Sequence, residues 1–86
     1  MNIEDYKLEI KLLQKKDTED AIKSGFSNKK EWHDYIINAE NDETARAIID
    51  VAERYNLPVT TVALNFDASM ISRVKKVFLK GKEKNI

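Results

Sequence analysis

Three cations near the C-terminal end, Arg73, Lys76 and Lys80, recur at i, i+3 and i+7. That spacing lines them up on one side of a helix, where they could neutralise several phosphates of a nucleic-acid backbone. Lys75, Lys82 and Lys84 lie close by. Other reactive residue types are sparse. His33 is the one histidine and there is no cysteine, so thiol catalysis, disulfides and thiolate metal sites are excluded. His33 falls off the Trp32–Ile36 stripe and reads as a surface histidine. Asp17, Glu19 and Asp20 cluster without the oxygen-ligand loop and central glycine of a calcium site, and read as an acidic helix start. Ser27, Ser69 and Ser72 lack any nucleophile-elbow or lysine context. Gly25 and Gly81 alone cannot build a phosphate-cradling loop. No catalytic, metal or cofactor site is expected, and the chain does not read as an enzyme.

The 86 residues allow one domain. Fifteen basic and fifteen acidic side chains give a formal net charge of zero, but the zero is a cancellation. Residues 1–68 hold nine basic and fourteen acidic side chains, and residues 69–86 hold six basic and one acidic. An acidic body therefore carries a basic end. Apolar runs never exceed three residues, so no membrane span or signal-peptide core is expected and the cytoplasm is the expected location. Two glycines and one proline favour helices over a turn-rich β fold.

Along the chain, Ile3, Tyr6, Ile10 and Leu13 follow helical spacing, while Tyr6, Leu8, Ile10 and Leu12 alternate as a strand would. The helical reading makes Ile3, Tyr6, Ile10 and Leu13 a dimer seam. Asp17 to Gly25 reads as a separate short helix, capped by Asp17 and stopped by Gly25. Asn28 and Glu31 have capping-box spacing ahead of Trp32, Tyr35, Ile36 and Ala39. Asp42 caps a helix whose apolar face is Ala45, Ile48, Ile49, Ala52 and Tyr55. Pro58 suits a first helical position. Asp67 caps a last helix with Met70, Ile71, Val74, Val77 and Phe78 inward.

The stretch from Ile48 to Asp67 is the most specific. Ala52 is small enough for two helices to cross closely, and Asn56, four residues on, suits a turn with positive φ. Leu57 plugs the turn and Val62 anchors the second helix. A small residue, turn residue, plug and anchor at these offsets is what a helix-turn-helix requires. Asp50-Val51-Ala52-Glu53, Asn56-Leu57-Pro58 and Thr61-Val62 resemble the helix-turn-helix of lac-repressor-type and related small bacterial or phage regulators. In that family the turn residue is Gly, where Asn56 stands here. The resemblance implies a second helix from Pro58 to Phe66 in the DNA major groove, with Pro58, Val59, Thr60 and Leu64 facing the bases and Thr61 beside them. None of these positions carries Arg, Lys, Asn or Gln, and Asn65 falls where an inward apolar residue is expected.

The fold expected is all-α: a small single-domain bundle over 1–86, with a helix-turn-helix-like unit at about 44–66. A basic helix follows at about 68–82, with a frayed tail at 83–86. A small α+β domain with strands near 6–12 and 59–66 is the alternative, and Gly25-Phe26-Ser27-Asn28 before Glu31-Trp32 also resembles a ribbon-helix-helix turn. The function expected is a small DNA-binding regulator of phage or plasmid type. It would bind duplex DNA as a homodimer through Val59, Thr60, Thr61, Leu64, Arg73, Lys76 and Lys80. The competing expectation is a protein-binding module that inhibits a host protein through its acidic helical surface without touching DNA.

Overall fold

A computed structural model describes residues 2–83, and among these it contains helices and no strand. The elements are α1 (Ile3–Lys23), α2 (Lys29–Asn38), α3 (Glu43–Arg54), α4 (Val59–Ala63) and α5 (Ala68–Glu83). The all-α expectation holds and the strands near 6–12 and 59–66 do not form. Of the expected frayed tail, residues 84–86 lie outside the described residues. No described helix is long and apolar enough to cross a membrane.

The first two expected segments are one helix. α1 starts at Asn2, whose side chain accepts from the backbone N–H of Glu4 and Asp5. It runs unbroken through Asp17 and stops at Gly25, whose φ of +87° is the left-handed turn a helix end uses. Asp17 is therefore no cap. It lies in mid-helix and is buried. The strand period fails for the same reason: the inward line is Tyr6, Ile10, Leu13, Asp17 and Ala21, while Leu8 and Leu12 face out. This line also uses up the expected dimer seam. Ile10 is core, Leu13 packs on the core, and the Tyr6 ring meets Tyr55 edge-on at 5.5 Å. Only Ile3 of the four stays exposed. The stripe is needed to bury α1 against α3.

Asn28 caps α2 as its spacing predicts, accepting from Lys30 and Glu31 N–H at 2.8 and 3.2 Å. Trp32 and Ile36 are buried, but Tyr35 and Ala39 are exposed. Asp42 holds the N-cap position of α3 without capping it. Asn41 takes the Glu43 N–H instead, which leaves the Asp42 carboxylate for a partner on α5. Ile36, Ile48, Val51, Ala52, Val62, Ala63, Met70 and Val74 fill the centre, with α3, α4 and α5 packed most closely and α1 and α2 on the flank.

His33 corrects the surface reading most sharply. Its side chain and that of Asp17 are each 1% exposed. His33 Nε2 lies 2.6 Å from Asp17 Oδ2, and Nδ1 contacts Asp67 Oδ2. Trp32 Nε1 donates to the other Asp17 oxygen at 2.9 Å, and Lys29 Nζ sits 3.2 Å from Asp17. Asp67 does cap α5, accepting from Met70 N–H at 3.1 Å and from the Ser69 hydroxyl. One imidazole thus ties α1, α2 and the start of α5.

Both ring nitrogens face carboxylate oxygens, and only the imidazolium donates at both. Burial by itself pushes the His33 pKa down, but the hydrogen bonds and charges of Asp17 and Asp67 outweigh it and hold it above its ordinary value. Burial likewise pushes Asp17 up, and His33, Trp32 and Lys29 overcome it, leaving the carboxyl below the usual range. Asp67 is pushed up by burial and held lower by Ser69, His33 and the Met70 N–H. The sign of the linkage follows. The His33 contribution to stability is complete below its unfolded pKa of about 6.5 and is lost as pH rises through the higher folded value. The Asp17 and Asp67 contributions are present above about pH 3.9 and are lost as pH falls through their depressed folded values.

Because the chain has one histidine, its imidazole resonances identify themselves. In an NMR titration they should remain those of imidazolium to a higher pH in the folded chain than in the unfolded one. His33→Gln should lower the unfolding free energy near pH 6 by about 3 kcal/mol, since it strands a buried carboxylate. In urea titrations it should also abolish the loss of stability expected of the parent as pH rises through the folded His33 pKa.

Candidate nucleic-acid interface

The segment joining α3 to α4 is built as its residue types demand. Ala52 and Val62 are completely buried, Val51 is core, and Leu57 packs half-buried beside them. Leu57 N–H donates to Ala52 carbonyl oxygen at 2.9 Å, closing the end of α3. Asn56 has φ of +53°, the left-handed value expected of the turn residue. An asparagine tolerates it at lower cost than most side chains because its short amide is compatible with that region.

The second helix is shorter than expected. α4 covers Val59 to Ala63, with Pro58 at its N-cap position and not inside it, and Leu64 at its C-cap. Beyond it the chain tightens into i to i+3 bonds, with Asn65 N–H donating to Val62 oxygen and Phe66 N–H to Ala63 oxygen. Asn65 does not fill an inward site. It is exposed, its amide bonds back to Val62 oxygen at 3.0 Å, and its carbonyl accepts from Gln14 Nε2 at 3.0 Å. Phe66 turns in instead, edge-on to His33 with 6.4 Å between ring centres. The outward surface of α4 and its cap is Thr61 and Leu64, the latter 70% exposed. Val59 and Thr60 are half-buried and line a groove of about 450 Å³ with Glu53, Asn56, Pro58 and Phe78. Two hydroxyls, some methyls and a leucine can touch thymine methyls and accept or donate singly. They offer no bidentate contact to a base.

The expected basic stripe comes apart. Arg73 is committed to Asp42, with Nε to Oδ1 at 2.7 Å and a second guanidinium nitrogen to Oδ2 at 3.1 Å. Its side chain is only 11% exposed, so it is not available to a phosphate. This forked pair fastens α5 to the start of α3. Lys76 is exposed but borders the α2 side, in a groove of about 400 Å³ with Asp34, Asn38, Ser69 and Ser72. Lys80 borders a groove of about 590 Å³ between α3 and α5, floored by Ile49, Val77 and Phe78.

A different stripe meets α4. Ile71, Lys75, Phe78 and Lys82 recur at i, i+4, i+7 and i+11, which is one face of α5. Phe78 from this face forms the groove shared with Pro58, Val59 and Thr60. Lys82 Nζ lies over the Phe78 ring at 4.7 Å. Lys75 and Lys82 thus flank Phe78 on one face of α5, and Lys82 also lines the α3–α5 groove with Lys80. No ion pair of Lys75, Lys76, Lys80 or Lys82 occurs among the described residues. The spacing of Lys75 and Lys82 is as visible in the sequence as that of Arg73, Lys76 and Lys80. The Asp42 partner that removes Arg73 is not. No group of histidines, cysteines or carboxylates among the described residues is arranged to hold a metal.

Comparison with protein-family models, with curated proteins and with solved structures finds no match.

Thermal or urea unfolding should separate the two fixed points of this interface. Asn56→Gly should be neutral or stabilising, whereas Asn56→Val should cost about 1–3 kcal/mol through its positive φ. Arg73→Ala should cost about 1–3 kcal/mol, because it leaves Asp42 partly buried without its fork.

Proposed function

We propose that this chain is a small cytoplasmic regulator that binds duplex DNA through the α3–turn–α4 unit. The observation that carries the reading is the turn itself: Asn56 in the left-handed region between two helices that close over the fully buried Ala52 and Val62. The family resemblance of residues 48–67 rests on the same positions. Lys75 and Lys82 supply phosphate contacts beside α4, a role expected earlier of Arg73, Lys76 and Lys80. Thr60 and Thr61, with the methyls of Val59 and Leu64, supply the little base contact available. Affinity then comes mostly from the backbone and specificity is modest.

The competing reading, an acidic surface that recruits a basic protein, loses support from internal pairing. Eight of the fourteen carboxylates in residues 1–68 already hold a Lys, Arg or His of the chain: Glu9, Asp17, Asp20, Asp34, Asp42, Glu43, Asp50 and Asp67.

Fluorescence anisotropy with a labelled duplex tests the proposal. Binding should weaken steeply between about 50 and about 200 mM salt. Lys75→Ala with Lys82→Ala should weaken it across all sequences and reduce the salt slope by about 2, while Lys76→Ala changes it less. Thr60→Val should alter the ranking of sequences without changing the slope. Absence of binding at the lowest salt, to random duplex and to the region upstream of the gene alike, would reject DNA as the partner.

A further inference from the structure

The outward face of α1 carries a second stripe that the monomer does not use. Leu8, Leu12, Lys15, Glu19, Ile22 and Phe26 follow one another at spacings of 4, 3, 4, 3 and 4. This is the alternation of a helix–helix seam, continued from α1 into the turn that follows it. Leu8, Leu12 and Ile22 are 56%, 57% and 67% exposed, among the large apolar side chains the fold leaves in water. Lys15 and Glu19 are exposed, and neither makes an ion pair among the described residues. Phe26 is half-buried and shares its outer side with the exposed Tyr35, ring centres 5.3 Å apart.

The order along the stripe is apolar, apolar, positive, negative, apolar, apolar. That order is complementary to its own reverse. When two copies lie antiparallel about a two-fold axis between Lys15 and Glu19, Lys15 of each meets Glu19 of the other. Leu12 then meets Ile22, and Leu8 meets Phe26 and its neighbour Tyr35. Every stripe position finds a matching one with no remainder. A parallel pair would set Lys15 against Lys15 and Glu19 against Glu19, which is repulsive at both positions. We propose that this face is an isologous homodimer interface, with α1 packed antiparallel on α1 of a second copy. It stands on α1 alone and does not depend on the DNA reading.

The helical part of the seam, from Leu8 to Ile22, is roughly 21 Å long at helical rise, so the contact is at the small end for specific interfaces. The two central ion pairs set direction and register more than affinity. A weak dimer follows, with dissociation in the micromolar range.

Sedimentation velocity over micromolar to millimolar protein is the test, with circular dichroism to confirm that each variant keeps its helices. The parent should shift from monomer to dimer across that range. Lys15→Glu alone and Glu19→Lys alone should each stay monomeric, since each then opposes like charges. An equimolar mixture of these two variants should dimerise, because each chain supplies what the other lacks. No intrachain pair is restored in either, so rescue places Lys15 and Glu19 in the contact, and the antiparallel register is read from a cysteine pair. The absence of native cysteine allows a second readout. Leu12→Cys mixed with Ile22→Cys should form a disulfide-linked heterodimer under mild oxidation, faster than either variant links to itself. A parent that stays monomeric to millimolar concentration overturns the proposal. A dimer that neither the charge mixture nor the cysteine mixture reports overturns it as well, by placing the contact on another face.

Discussion

The arrangement of this chain depends on one buried cation, the imidazolium of His33 held between Asp17 and Asp67. The three residues come from α1, α2 and the link between α4 and α5, so their contact fixes three elements at once. Burying charge is costly, and a well-packed apolar cluster in the same place would often be as stable. What the polar cluster adds is direction. Asp67 uses one oxygen to cap α5 and the other to meet His33, so the start of α5 is tied to the position of α2. Phe66, the residue before it, is thereby brought against the His33 ring, and that sets where α4 must end. An apolar contact would permit sliding that these hydrogen bonds do not.

The Arg73–Asp42 fork does the same at the other end of the helix pair, locking the second turn of α5 to the first of α3. Together the two clusters leave α5 little freedom to roll. Its Met70 and Val74 line stays inward, and Phe78 stays beside the start of α4. The proposed DNA surface is therefore a by-product of internal electrostatics. Arg73, the cation of α5 within reach of the acidic body, pairs with Asp42, and no ion pair among the described residues takes Lys75 or Lys82. The zero net charge of the sequence conceals this sorting, because a sum over residues does not distinguish a paired arginine from an exposed lysine.

Local signals in the sequence were legible where a backbone need is met by the nearest side chain. Asn28 caps α2, Asp67 caps α5, Gly25 ends α1 and Asn56 turns between α3 and α4, each at the position its chemistry marks. The apolar lines of α3 and α5 were legible too, since burial there is mostly hydrophobic. Illegibility begins where a polar side chain serves a distant partner. Asp17 has the residue type of a cap, yet its oxygens are taken by Trp32 and His33, fifteen and sixteen residues away. Asp42 sits at a cap position and leaves that job to Asn41 because Arg73 claims it. His33 lies beside the apolar stripe of α2, and hydrophobicity by itself assigns such a residue to water. Nothing short of the tertiary pairing identifies it as core.

α1 shows why this matters for function. It carries two stripes of nearly the same period: Tyr6, Ile10, Leu13, Asp17, Ala21 on one side and Leu8, Leu12, Lys15, Glu19, Ile22 on the other. Their apolar content is similar, and each includes charge, so the hydrophobic pattern does not decide which faces the core. The decision is electrostatic. Asp17 has Trp32, Lys29 and His33 waiting for it within the fold, while Lys15 and Glu19 have no such partners. Turning α1 over would bury Lys15 and Glu19 against the apolar wall of α3 and leave the His33 imidazolium facing a single carboxylate. The buried pair therefore selects the inward face, and by doing so it hands Leu8, Leu12 and Ile22 to the surface. An exposed apolar stripe with self-complementary charges is then the remainder that the core leaves for a second copy of the chain.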